Sequence, residues 1–191
     1  MSSDANRIVS SENEQLILVN PDDDELGYLS KLDCHDGDGR LHRAFSLFIF
    51  NQHGELLLQR RAPDKRLWPM FWSNSCCSHP RKGETMEQAT HRRLMDELNI
   101  RAKLEFIYKF SYQASFGELG SENELCWVYL GRSNEAVVLN KSEIAESSFV
   151  SRAALEHELA ANPGQFTPWF RMEWQRLTTE YGERFAAYTE S

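Results

Sequence analysis

The stretch GETMEQATHRRLMDELNI, residues 83–100, carries the clearest helical pattern in the chain. Thr85 with Gln88 three positions later is a capping-box pair, and the pattern predicts a helix over residues 85–98. Met86, Leu94 and Leu98 fall near one face of that helix, while Ala89, Arg93 and Glu97 stack at i, i+4 spacing on an adjacent one. Glu84 precedes the helix, Arg92 follows it by eight positions, and Asp96 and Glu97 lie near the end. Acidic oxygens so spaced suit Mg²⁺, which prefers a few carboxylates completed by substrate phosphate oxygens. The competing reading is a solvated amphipathic helix laced with ordinary salt bridges.

Working outward, QLILVN (residues 15–20) reads as a first strand, entering a hairpin through the acid-rich turn PDDDELG. LHRAFSLFIF (41–50) and ELLLQRR (55–61), joined at NQHG, read as a hairpin of two buried strands. LEFIYKFSYQASF (104–116) and NELCWVYLGRS (123–133) alternate as strands. RAALEHELAAN (152–162) is a helix stopped by NPG. TPWFRMEWQRLTTEYGERF (167–185) reads as one closing amphipathic helix with Pro168 in its first turn. Strands with interspersed helices imply an α/β (α+β) domain layered α-β-α around a mixed sheet. A disordered or loosely held tail over residues 1–14 and a single domain over 15–191 account for the length of 191 residues.

The net charge of −8 disfavours nucleic acid or an anionic membrane as partner, so the contacts to any anionic substrate have to be local. No apolar run approaches the roughly 18 residues of a membrane span, and the polar start MSSDANRIVSSENEQ has no signal-peptide core. The expected location is the cytoplasm, where Cys34, Cys76, Cys77 and Cys126 stay reduced.

WSNSCCSHP, residues 72–80, sets two adjacent cysteines just ahead of a histidine. There is no C-x-x-C redox pair, and one Cys/His near-pair falls short of a structural zinc knuckle. His35 and His42 precede this stretch, and SENELC supplies Glu122 and Glu124, which share a face if the segment is a strand. With His79 these make three imidazoles and two carboxylates, a plausible octahedral set with one position left over. Nitrogen and oxygen ligation suits Mn²⁺, Fe²⁺, Mg²⁺ or Zn²⁺.

The segment around Glu84–Glu97 resembles a Nudix box, with departures: Arg93 stands where hydrolytic members carry a glutamate, and Asn99 where they carry glycine. A diphosphate hydrolase needs several carboxylates to hold metal and activate water, so that arginine favours binding a diphosphate over cleaving it. His35, His42, RRAPDKRLWPMFWSNSCCSHP, the altered box, FSYQA, ENELC and FTPWF occur together and in order. Together they resemble the type I isopentenyl-diphosphate isomerases, a Nudix-fold family that interconverts isopentenyl and dimethylallyl diphosphate. The resemblance runs from about residue 15 to 175 and implies a small isoprenoid diphosphate as substrate. It implies Cys77 and Glu124 as the catalytic pair, with Tyr112 and Trp169 as aromatic neighbours. It assigns His35, His42, His79, Glu122 and Glu124 to one metal (Mn²⁺, Mg²⁺ or Zn²⁺) and Glu97 to a Mg²⁺ that arrives with the diphosphate. Lys31, Arg61, Lys65 and Arg93 fall on the diphosphate contacts.

Moving a double bond by one carbon adds a proton at one end and removes one at the other. Two acid-base groups on opposite sides of the alkene meet that need. An aromatic face such as Trp169 stabilises developing positive charge, and Trp68, Phe71, Trp72 and Trp127 are candidates for a water-excluding wall. In an extended segment Cys77 shares a side with His79, and Cys76 shares the other with Ser78, leaving Cys76 as a small buried hydrophobe. Two other readings stand beside the isomerase: a Nudix hydrolase of a diphosphate substrate, and a non-catalytic metal-binding module.

Overall fold

The structure, a computed structural model, describes residues 7–190. Its strands are β1 (Gln15–Val19), β2 (Glu25–Ser30), β3 (His42–Phe50), β4 (Leu56–Arg61), β5 (Trp72–Ser73), β6 (Cys76–Ser78), β7 (Lys103–Ser115), β8 (Ser121–Arg132) and β9 (Ile144–Val150). Its helices are α1 (Lys31–Cys34), α2 (Met86–Leu98), α3 (Arg152–Ala161), α4 (Pro168–Thr179) and α5 (Gly182–Thr189).

β3 organises the sheet because every second side chain along it is apolar on both faces. Phe45, Leu47 and Ile49 pack with Leu94 and Leu98 of α2. Ala44, Phe48 and Phe50 pack with Phe170 and Trp174 of α4 and Phe185 of α5. Each of these aromatic side chains contributes roughly 1.5–3 kcal/mol by leaving water. β3 runs parallel to β8 in unbroken register from His42↔Glu124 to Phe50↔Arg132, while its other partners are antiparallel. The result is the expected α/β/α sandwich around a mixed sheet.

α2 starts as its sequence dictates. Gln88 N donates to Thr85 Oγ1 at 3.2 Å, and Thr85 N donates to Gln88 Oε1 at 2.9 Å. Asn99 ends it in the left-handed region (φ 54°), a conformation that asparagine accepts nearly as well as glycine.

Three elements differ from the sequence expectation. The β3–β4 hairpin pairs only at Phe50↔Leu56 and then splits. Ser75 is the wedge: its hydroxyl accepts from Ile49 N (2.8 Å) and donates to Leu57 O (2.6 Å), bridging strands that no longer touch. β6 then pairs with β3, and β5 and β9 pair with β4. β9 is additional, its sequence IAESSFV having little alternation to reveal it. The closing helix is two helices, broken at Glu180–Tyr181, where Tyr181 turns to stack on Tyr108 with ring centroids 4.6 Å apart.

Of the tail expected over 1–14, residues 1–6 lie outside the described residues. From Arg7 onward the chain runs beside α2, with Val9 buried and its carbonyl accepting from Arg93 Nη1 (3.1 Å) and Arg81 Nη2 (3.0 Å). Among the described residues no helix is long and apolar enough to cross a membrane.

Candidate active site

Strand alternation places Glu122 and Glu124 of β8 on one face, and register gives Glu124 its neighbours: His42 across β3 and Tyr112 across β7. His35 caps the end of α1, and His79 follows β6 directly. The three imidazole centroids lie 4.8, 5.2 and 4.8 Å apart. His79 Nε2 stands 2.8 Å from Glu124 Oε1, His35 Nε2 2.8 Å from Glu122 Oε2, and His42 Nε2 3.7 Å from Glu124 Oε1. Tyr112 donates its hydroxyl to Glu124 Oε2 at 2.5 Å.

Backbone carbonyls orient two of the rings. His35 Nδ1 meets Lys31 O at 2.7 Å and His42 Nδ1 meets Arg40 O at 2.6 Å, so each Nδ1 carries the proton and each Nε2 faces the carboxylates. Burial drives His79 well below the usual histidine range and His42 down to about 4, so both are neutral. Burial also pulls on His35, but the charge and hydrogen bonding of Glu122 lift it above its ordinary value. Glu124 is pushed well up by burial and by the neighbouring Glu122 charge. For Glu122, burial is outweighed by His35, which holds it down at about 2. His42 Nε2 is buried without a hydrogen-bond partner.

Three imidazole nitrogens and two carboxylates thus converge on one point, an arrangement that suits a cation at the centre. The five donor atoms lie within 4.8 Å of one another. Opposed ligands about 2.1–2.2 Å from an ion stand about 4.3 Å apart, so the set fits a divalent metal with only small adjustment.

One further feature shapes this centre, and sequence reading missed it. Gly120 (φ 139°) presses on the His35 backbone, where a Cβ would lie 2.2 Å from the His35 carbonyl oxygen. Nothing in the local pattern marks it, since the contact spans the chain from α1 to the β7–β8 turn.

A second cluster lies on the α2 side. Arg93 donates to Glu97 Oε1 (2.8 Å), Glu143 Oε2 (3.0 Å) and Val9 O, and the two carboxylates help hold its guanidinium charge despite burial. Lys65 pairs with Glu143, while burial lowers its pKa. Lys31 Nζ donates to Ser10 Oγ at 2.6 Å. Arg61 donates to the carbonyls of Trp68 and Leu67, and its guanidinium carbon lies 5.3 Å from the centre of the Trp169 ring. Glu143, like Gly120, carries no sequence signal; it reaches this cluster from the loop before β9.

One pocket gathers Cys77, Glu124, Tyr112 and Trp169 with Lys31, Arg61, Lys65, Arg93 and Glu97, and its wall includes His35, His79 and Glu122. His42 sits behind that wall, fully buried. Cys77 lies opposite Ser46 in β3, its thiol pushed up to about 12 by burial. Cys76 lies opposite Leu47 and turns to α2. It is more than the small hydrophobe expected, because its thiol donates to Glu97 Oε1 at 3.3 Å. Trp169 Nε1 donates to Ser73 Oγ at 3.1 Å, and the ring meets Trp68 edge-on at 5.3 Å. Trp68, Phe71 and Phe116 form one aromatic group beside it. Trp127 is no part of that wall: on the other face its Nε1 donates to Asp23 Oδ2 at 3.0 Å.

The model of the NUDIX domain family matches residues 40–170. The isopentenyl-diphosphate Delta-isomerase of Escherichia coli is 38% identical over 181 residues, covering 94% of this chain and 98% of that protein. Isopentenyl-diphosphate Delta-isomerase 1 of Photorhabdus laumondii is 39% identical over 173 residues, covering 90% and 98%. The chain belongs to the isopentenyl-diphosphate Delta-isomerase family, within the Nudix superfamily. Among solved structures, the isomerase-family chain is similar to DR0079 from Deinococcus radiodurans, with TM-score 0.64 and 25% identity over 78% of this chain and 90% of that one. A MutT protein from Methanosarcina mazei shares the fold at TM-score 0.56 and 19% identity, over 79% of this chain and 96% of that one.

Proposed function

We propose that this enzyme interconverts isopentenyl diphosphate and dimethylallyl diphosphate by protonation and deprotonation, supplying isoprenoid synthesis. The observation that carries the reading is the convergence of Cys77 and Glu124 on a pocket with Trp169 beside it and basic residues at its rim. Cys77 and Glu124 exchange protons with the two ends of the allylic unit. Tyr112, bonded to Glu124 Oε2, holds that carboxyl in place and shares its proton without recruiting a mobile water. Trp169 offers its ring face to the positive charge that develops on carbon, an interaction worth about 2 kcal/mol when desolvated. The aromatic group around Trp68 keeps water from trapping that charge as an alcohol.

His35, His42, His79, Glu122 and Glu124 are the ligands for a divalent ion, Mn²⁺, Mg²⁺ or Zn²⁺. When bound, it supplies the positive charge that reconciles two buried carboxylates. Glu97 is the protein ligand for a Mg²⁺ brought by the diphosphate. Lys31, Arg61, Lys65 and Arg93 supply the positive surroundings of that group, Arg93 by fixing Glu97 and Glu143 rather than as a free hand. The four unbridged cysteines suit the reducing cytoplasm. The hydrolase alternative is disfavoured because the helix position that would carry a further carboxylate carries Arg93, ion-paired to Glu97.

Incubation with labelled isopentenyl diphosphate and Mg²⁺ tests the reading. An acid-labile allylic product is expected. Phosphate release without isomerisation would assign a hydrolase, and metal uptake without either reaction a binding module.

A further inference from the structure

The chemistry above leaves one buried acid without a task. Glu173 sits midway along α4 with no solvent exposure. Cys126 Sγ lies 3.4 Å from Glu173 Oε1 and 3.4 Å from Ser46 Oγ. Glu173 Oε2 is buried without any partner. The groups facing it are Cys126 and, further along β8, Glu124; Tyr108 of β7, whose hydroxyl donates to the Glu173 backbone carbonyl at 3.3 Å; Ser46 of β3; and Cys77 of β6. None is a cation. A lone carboxylate in such surroundings is costly, so the group is held as the neutral acid. Burial pushes it up to about 8, even though hydrogen bonds from Ser46 and Cys126 pull the other way.

A core position that an apolar residue would fill at less cost is often spent on function. The location of Glu173 indicates which function. Trp169 precedes it by one helical turn on the same face of α4. Ser46 is the cross-strand partner of Cys77, and Cys126 follows Glu124 by two positions on the same face of β8. One carboxyl thus adjoins all three elements that carry the pocket's reactive and aromatic groups.

We propose that Glu173 is a positioning residue for the isomerisation: as the neutral acid it ties α4 to β3 and β8 beneath the pocket, and its ionisation releases the α4 face that presents Trp169. A carboxylate formed there has no counter-charge and one oxygen without a hydrogen bond, so water must enter or α4 must shift. The Trp169–Ser73 contact moves with it. The effect falls on the orientation of the hydrocarbon and not on the diphosphate, hence on kcat more than on KM. The inference rests on the isomerase reading.

The test uses the metal-loaded full-length protein, following kcat, KM and tryptophan fluorescence from acid to alkaline pH. The wild type should lose kcat on the alkaline side, its KM changing little, and a fluorescence step should share the midpoint of that loss. Glu173→Gln, which keeps a neutral hydrogen-bonding group, should remove both the limb and the step. Glu173→Leu should lower kcat about tenfold at every pH, as expected for an interaction lost from the transition state alone. An alkaline limb or fluorescence step unchanged in Glu173→Gln overturns the proposal. So does wild-type kcat in Glu173→Leu, or a wild type with no fluorescence step. A wild type that does not isomerise at any pH overturns the proposed function instead, while the fluorescence comparison still decides the role of Glu173.

Discussion

Two polar clusters flank the pocket and bury charge in opposite ways. His35, His42, His79, Glu122 and Glu124 form a set whose acceptor atoms face one another, with two of the imidazoles kept neutral by burial. Glu97, Arg93, Glu143 and Lys65 form a set in which two carboxylates meet two cations. The first includes no lysine or arginine; the second is already neutral. Counting carboxylates therefore misleads about affinity, because what decides it is whether the protein supplies its own counter-charge. The first centre is expected to hold its ion before substrate arrives. At the second, Mg²⁺ and diphosphate have to displace contacts that already exist.

The largest effects divide the adjacent cysteines between these regions. Cys77→Ala should cut turnover by about 10²–10⁴-fold or more, the usual reach of a positioned acid-base group, with metal content intact. Cys76→Ala should leave turnover near wild type and cost about 1 kcal/mol for its lost hydrogen bond. Peptide mapping after reaction with an epoxide substrate analogue should find the adduct on Cys77; an adduct on Cys76 would reverse the division.

Arg93→Met should destabilise the protein by about 3–5 kcal/mol in denaturant titration, because two buried carboxylates lose their common partner. A loss below about 1 kcal/mol would mean that the second cluster does not depend on its own cations.

How much of this was legible in the sequence follows the range of the interactions. The α2 capping box is local and its helix begins as read. The Glu122/Glu124 pair and the opposite aims of Cys76 and Cys77 follow from strand alternation over a few residues. The wedge of Ser75, the reach of Glu143 to Arg93 and the pressure of Gly120 on His35 depend on chain segments far apart, and composition carries no trace of them. The break at Tyr181 was hidden for the same reason, since a ring on β7 draws it out of the helix.

Gly120→Ala sharpens the comparison at the histidine end alone. Displacing the His35 backbone should weaken ion binding there by about 10–100-fold, as loss of a supporting contact typically does. Calorimetric titration with Mn²⁺ checks this, and in the diphosphate-free wild type it should register one tight site. Two equally tight sites would erase the contrast between the clusters.

A further effect concerns stability and pH. The native value of Glu173, about 8, lies above the roughly 4.3 of an unfolded glutamate. The native state keeps a proton that the unfolded chain releases, so this group's contribution is fully present below about pH 4.3 and is lost as pH rises through about 8. The melting temperature of Glu173→Gln relative to wild type should therefore climb between pH 5 and pH 8. A constant difference across that range would show that the acid is ionised throughout.

The parallel pairing of β3 with β8 reaches beyond catalysis into how the chain finds its fold. His42 and Glu124 become neighbours only when β8 returns alongside β3 in the same direction, with four strands and α2 lying between them in sequence. Such non-local pairing forms slowly. A slip of one residue would turn Glu122 and Glu124 towards α2 and present Asn123 and Leu125 in their place. A metal ion held by His42 and Glu124 together would bind only chains in the correct register and would draw the population towards them by mass action. A centre so occupied would act as a proofreader of the sheet as well as an organiser of the pocket.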